Sequence, residues 1–273
     1  VRHGLLALLL VSAAALAQAP QEGVKVEKSR LLLLPASTVE RSAAGQYAQL
    51  MRGAAQKGAL NNDKMQVERL RNIARALIPH SARFNKDAER WRWEVNLISS
   101  KTVNAFCMPG GKIAFFTGIL ESLQLTDDEV AAIMGHEIAH ALLEHGRARM
   151  SEQVLKSIGI SVAAAVFNLG QLSTEILAQA ANLAVSLPYA RKQETDSDLV
   201  GMELAARAGY DPRAAAVVWR KMAKLAQTTG RGQPPQFLST HPSHDTRIKE
   251  IEANLPRVLP LYESAKGRAG RSK

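Results

Sequence analysis

Between residues 64 and 78 the apolar positions Val67, Leu70, Ile73, Ala74 and Leu77 recur every three to four residues, which puts them on one face of a helix. A similar pattern over 38–58 predicts another helix, and the two read as covers for a core. The period then drops to two. Trp91, Trp93, Val95 and Leu97 alternate with Arg92, Glu94 and Asn96, as in a half-buried strand. Val103–Met108 and Lys112–Phe116 flank Pro109-Gly110-Gly111 and predict a hairpin. Helical spacing returns after Thr126, whose partner Glu129 completes a capping box, while Asp127 and Asp128 place negative charge on the first turn. A helix therefore starts at Asp127. Residues 153–187 are rich in Ala, Gly and Ser and read as buried or cleft-lining helices; their apolar patch from Ile158 to Phe167 falls short of the roughly 20 residues a membrane span needs. Gly209 ends a later acidic helix, and Asp211-Pro212 opens the next, running to about Gln227. After a loop over 228–236, Ser243 caps a last helix through Ile251. The expected class is α+β, with a small, mostly antiparallel sheet packed on helices.

Composition narrows this. A chain of 273 residues with 46% apolar content can bury one substantial core. Val1-Arg2-His3 is basic, residues 4–16 are nearly all apolar, and Ala15-Leu16-Ala17 supplies small residues, so 1–17 reads as a secretory signal peptide and the compartment as the periplasm. An arm over 18–36 would then lead into one domain over 37–262 and a basic tail over 263–273. Cys107, the one cysteine, has no internal disulfide partner and reads as a packing residue. The formal charge of +10 could attract anionic surfaces, but there is no recognition motif or basic-aromatic interleaving, so nucleic acid is not expected as a partner.

Within the helix from Asp127 stands His136-Glu137-Ile138-Ala139-His140. His136 and His140 are four apart, so both imidazoles leave one face with Cβ atoms about 6 Å apart, a spacing that two ligands of one metal ion can use. Glu137 is rotated by about 100° from His136 and flanks such a metal as a base. This is the H-E-x-x-H arrangement of zinc hydrolases, yet five letters with three fixed also occur by chance. A third ligand decides between the two.

That ligand must come from another element, because residues further along the same helix recede by about 5.4 Å per turn. A metzincin spacing would need Gly at 143 and His at 146, where the chain has Leu143 and Gly146; His145 lies five residues past His140. The gluzincin solution is a Glu on a later helix with a carboxylate one turn on to hold a ligand histidine. Glu194 and Asp198 fit it, sharing a face with Gly201, Ala205 and Ala208, whose small size lets two helices approach closely. Glu144 and Glu152 lie too near the pentad, on the same helix or its end, and Glu175 has Gln179 where the carboxylate should be. The competing reading of Glu194 and Asp198 is a solvated acidic face.

HEIAH, the Glu194–Asp198 segment with Ala208-Gly209-Tyr210-Asp211-Pro212, the stretch Asn104–Gly111 and Ser239-Thr240-His241-Pro242 together resemble the gluzincin peptidase family M48 from about Trp91 to Leu255. The chain is most similar to its soluble periplasmic BepA-like and LoiP-like members, without the repeat domain of the former. Asp196 and Ser197 stand where members often carry Glu and Ala. The resemblance implies one Zn²⁺ per chain on His136, His140 and Glu194, with Glu137 catalytic and Asp198 and Arg247 behind the ligands. It also implies an edge strand, with Asn104, Pro109, Gly110 and Gly111, that binds extended substrate by β-addition. His241 would be an inhibitory latch on the metal, a donor to the oxyanion, or a local packing residue. The implied function is endopeptidase action on misfolded or stalled envelope proteins, with the outer-membrane assembly machinery as a possible partner. A zinc-containing chaperone and a hydrolase of cell-wall peptides are the alternatives.

Overall fold

A computed structural model describes residues 23–26, 32–158, 189–228, 235–242 and 246–271. The signal-peptide stretch 1–17, most of 153–187 with Glu175, most of the loop 228–236 and the Ser243 cap lie outside the described residues.

Helix α1 (Ala36–Gln56) and helix α2 (Lys64–Leu77) form where the apolar period predicts them. The α2 residues Val67, Leu70, Ile73, Ala74 and Leu77 are all buried, and Asp63 caps the helix by accepting from Gln66 N–H at 3.0 Å. Two short 3-10 segments, Ile78–Arg83 and Lys86–Arg90, lead to strands β1 (Glu94–Ile98), β2 (Ala105–Met108) and β3 (Lys112–Phe116). The predicted hairpin is present. Its turn closes through Gly111 N–H to Met108 C=O at 3.2 Å, with Gly110 and Gly111 at φ of +81° and +79°, a region open to glycine and costly for other residues. Trp93 lies against Gly111 so closely that a Cβ there would fall 2.6 Å from the indole.

The sheet corrects one expectation. Its order is β1-β3-β2, with β2 antiparallel and β1 parallel to β3, so it is mixed rather than mostly antiparallel. The chain reverses once between β1 and β2 and again at the glycine turn, and β3 then inserts between them, so it runs the same way as β1. The consequence is that, among the described residues, no strand pairs with the outer edge of β2. Helices α2 and α4 cover one face of the sheet through Leu97, Ala105, Ile113 and Phe115; α1 covers the other through Tyr47, Met51 and Ala54.

After α3 (Thr117–Leu123), helix α4 (Asp127–Leu142) begins with the expected capping box: Thr126 Oγ1 accepts from Glu129 N–H, and Glu129 Oε2 accepts from Thr126 N–H at 2.8 Å. Every residue from Glu129 to Leu142 is buried, so α4 is a central helix rather than an amphipathic cover. It stops at Leu143, Glu144 takes φ +59°, and α5 (His145–Ile158) starts in a new direction. Glu152 is thus on a separate helix, contrary to the expectation. Helix α6 (Arg191–Arg207) crosses α4 and ends in a Schellman motif, with Tyr210 N–H on Ala205 C=O and Gly209 N–H on Ala206 C=O. Helices α7 (Ala214–Thr228), α8 (Gln236–Thr240) and α9 (Arg247–Arg271) follow. Helix α9 runs twenty residues past the predicted end at Ile251 and takes in the expected tail. Among the described residues, no helix is long and apolar enough to cross a membrane.

Candidate metal centre

The site forms where α4 and α6 touch backbone to backbone. A Cβ on Gly201 would lie 2.7 Å from His136 N, and one on Gly135 would lie 2.8 Å from Gly201 O. With no side chain between them, the helices bring the donors at His136, His140 and Glu194 together. His136 Nε2 and His140 Nε2 are 3.0 Å apart; Glu194 Oε1 is 3.3 Å from the latter and Oε2 3.6 Å from the former. His241, carried just beyond α8, adds a fourth donor, with Nδ1 3.1 Å from Glu194 Oε1 and 3.3 Å from His136 Nε2. All four donors lie within 4.8 Å of one another and all four residues are buried. Ligands at 2.0–2.1 Å around a tetrahedral zinc stand about 3.4 Å apart. The N-to-N separation of 3.0 Å and the N-to-O separations of 3.3 and 3.6 Å, to the two oxygens of Glu194, lie near that value, so the donor set fits zinc.

The supporting shell fixes which nitrogens face inward. His136 Nδ1 donates to Asp198 Oδ1 at 2.9 Å, leaving the Nε2 lone pair for a metal. His140 Nδ1 lies 3.0 Å from His145 Nδ1. Burial pushes the His145 imidazole down to about 3, so it is neutral and can accept that proton. Burial also drives His140 well below its ordinary value, which keeps it in the neutral form a ligand needs. At His136 burial acts the same way, but the hydrogen bond and charge of Asp198, with Glu194, outweigh it and raise the value.

Arg247 closes the array from α9. It is completely buried, its Nε and Nη2 clasp both oxygens of Asp198 at 2.7 and 2.9 Å, and its Nη1 lies 2.6 Å from Glu194 Oε2. Its guanidinium stacks 3.4 Å over the Trp219 ring. Burial works to raise both carboxylates; Arg247 and His136 hold Asp198 below its usual range, and His241 and His140 hold Glu194 well below. Asp198→Asn keeps the size but removes the charge between His136 and Arg247. Zinc affinity is expected to fall by about 10- to 100-fold, measured by competition with a chromophoric chelator, and no change would show that Asp198 does not support the ligand His136.

Glu137 sits on the other side of the donors. It accepts a hydrogen bond from the Cys107 N–H of β2; its Oε1 has no hydrogen-bond partner and lies 3.3 Å from His241 Nε2. Burial raises its carboxyl above the ordinary value, against the pull of His241 and His136. Beside it a cleft follows the outer edge of β2 and is lined by Asn104, Pro109, Ala43, Arg149 and Tyr189. Asn104 and Pro109 thus lie where the expected edge strand puts them, whereas Gly110 and Gly111 form the hairpin turn, Gly110 facing Glu40 of α1. Cys107 is buried with its thiol pushed well up by burial, a packing residue as expected.

Four residues escaped the sequence reading. Tyr189 stacks on His140 at 3.8 Å, His145 holds the back of the same ring, Trp219 lies under Arg247, and Gly135 is the partner of Gly201. Gly135 alone carried a signal, a glycine inside a helix facing a small-residue stripe; the others depend on tertiary placement.

Comparison with known proteins agrees with this geometry. The model of Peptidase family M48 matches residues 64–255. The mitochondrial metalloendopeptidase OMA1 of Schizosaccharomyces pombe is 39% identical over 175 residues, 64% of this chain and 50% of that protein. Human metalloendopeptidase OMA1 is 31% identical over 214 residues, 74% of this chain and 40% of that protein. Metalloprotease LoiP of Escherichia coli is 29% identical over 153 residues, 56% of this chain and 58% of that protein. The chain therefore spans about half or less of the OMA1 relatives, and its likeness to them exceeds that to LoiP, which corrects the expected nearest kinship within the family. With the match covering most of the chain, and with HEIAH, Glu194 and His241 meeting at one buried donor cluster, the protein belongs to Peptidase family M48.

Proposed function

We propose that this chain is a zinc-dependent endopeptidase. The observation that carries the reading is the tetrahedral spacing of His136, His140 and Glu194 donors with the unpartnered Glu137 Oε1 beside them. When bound, zinc would polarise the scissile carbonyl and acidify the attacking water. Glu137 accepts the proton of that water and passes it to the leaving amine, a task for which a carboxyl raised by burial is suited. Asp198 and Arg247 keep His136 aimed and Glu194 ionised. The outer edge of β2 offers main-chain groups to an extended polypeptide, which supports unfolded or misfolded proteins as substrates. Envelope proteins in the periplasm are the finer reading, supported by the basic-then-apolar stretch over 1–16. The test is zinc analysis with casein digestion by protein purified from Gln18 onward; zinc-loaded protein that leaves casein intact would sink it.

His241 bears on a second reading. Its Nδ1 takes the corner of the donor set where a substrate or water would bind, and four protein donors make a closed site, the pattern of structural zinc in a chaperone-like protein. Glu137, with a free oxygen and a raised carboxyl, favours the enzyme with His241 as a latch. His241→Ala is then expected to raise basal casein cleavage several-fold at unchanged zinc content. Loss of activity by about 10²-fold with zinc retained would make His241 an oxyanion donor. Loss of zinc without gain of activity would make the site structural.

A further inference from the structure

The cleft beside Glu137 is narrow, about 100 Å³, and beside it lies a second groove of about 890 Å³. Gln46 and Met108 line both. On α1 the residues facing the two hollows, Val39, Ala43, Gln46, Leu50, Gly53 and Lys57, recur every three to four positions and so form one continuous stripe. Three features of the second groove suit a polypeptide. Its floor is apolar, with Met108, Phe116 and Ile98 packed on the cluster around Tyr47, and Leu50 at its wall is 37% exposed. Gln46 Nε2, at the junction, is buried with no hydrogen-bond partner, a donor that a passing carbonyl would satisfy. Among the described residues, the charged ones lining the groove are Arg52 and Lys57, with no carboxylate.

We propose that this groove binds a second stretch of the same extended substrate, several residues from the scissile bond, and that it selects segments combining apolar side chains with an acidic one. The assignment rests on the endopeptidase reading. Continuity is its main support: a chain lying along the β2 edge runs past Gln46 and Met108 into the groove without leaving the α1 stripe. The small space over Glu137 holds little more than the reacting residues, so discrimination among substrates falls to the larger, charged hollow.

The test uses a fluorescein-labelled peptide of about twelve residues, about 40 Å when extended, carrying Leu, Phe and Asp, and a peptide of about four residues that reaches only the cleft. Gly53→Phe fills the groove, since a Cβ at Gly53 meets nothing within 4 Å, and Gly53→Ala controls for helix effects. Anisotropy with zinc-loaded Glu137→Gln protein is expected to show about tenfold weaker binding of the long peptide to the Gly53→Phe form, the scale of one lost apolar side chain. The ratio of kcat/KM for the long over the short peptide should fall alike when Glu137 is intact. Arg52→Glu with Lys57→Glu should weaken the Asp peptide and favour its Lys counterpart. Equal binding of the long peptide to both Gly53 variants and the parent overturns the groove. If the intact protein cleaves neither peptide while Gly53→Phe still weakens binding, the groove stands and the endopeptidase reading falls.

Discussion

Glu137→Gln is expected to retain one zinc per chain and lose proteolysis by about 10²- to 10⁴-fold, the contribution of a positioned general base. The amide keeps the volume of the carboxyl and can still accept the Cys107 N–H, so the fold around β2 is undisturbed. What disappears is the oxygen facing the donors, Oε1, which alone lacks a partner and so is free to take a proton. Zinc by metal analysis and casein cleavage on the same sample separate the two effects. The contrasting variant is Glu194→Ala, which removes a donor and should lose the metal, because two histidines alone hold zinc poorly. Full proteolysis by Glu137→Gln at equal zinc would defeat the mechanism, and tight zinc in Glu194→Ala would mean another third ligand.

Replacement of Arg247 by Met should produce the largest loss of stability in the molecule. The side chain is completely buried and, among the described residues, is the one Lys or Arg paired with both Asp198 and Glu194. Removing one partner from a buried charge cluster costs about 3–5 kcal/mol, since the carboxylates left behind are out of water. At the sensitivity of a chain this size, that is a fall in Tm of roughly 6–20 °C for the zinc-free protein. Arg220→Met removes an exposed pairing with Glu252 and serves as the reference, expected to cost about 1 kcal/mol or less. Arg247→Lys keeps the charge and loses the fork onto Asp198, and should fall between them. A zinc-free Arg247→Met protein melting with the parent would show that the cluster is compensated from elsewhere.

The metal site was legible because its parts are local spacings. His136 and His140, or Glu194 and Asp198, are each one helical turn apart, and a turn is fixed by backbone geometry whatever surrounds it. Relations between distant segments were not legible in that way. His241 and Arg247 entered only through family resemblance, since nothing within 237–247 says that Phe237 N–H will bind Val103 C=O and dock this segment on the sheet. The parallel pairing of β1 depends on where β3 inserts, and the alternating pattern of a strand is indifferent to that choice. The break before His145 required Glu144 at φ +59°, a conformation that its residue type argues against. Helix α9 runs past the expected end at Ile251 and through Pro256 and Pro260, because Ile251, Val258 and Leu261 are buried along one face and hold the helix to the core across both prolines.

The contact of Gly135 with Gly201 gives the metal a gauge. Glu194, Asp198 and Gly201 succeed one another along α6 as ligand, support and spacer, so the separation that lets Glu194 reach the histidines is set seven residues away by the absence of a methyl group. An alanine at 201 would leave every donor atom in place chemically and act as a wedge between the helices, widening the N-to-O distances that zinc tolerates within a few tenths of an ångström. Affinity for the ion thereby becomes a reading of how tightly two helices are packed. By that measure, a position without a side chain counts among the determinants of metal binding.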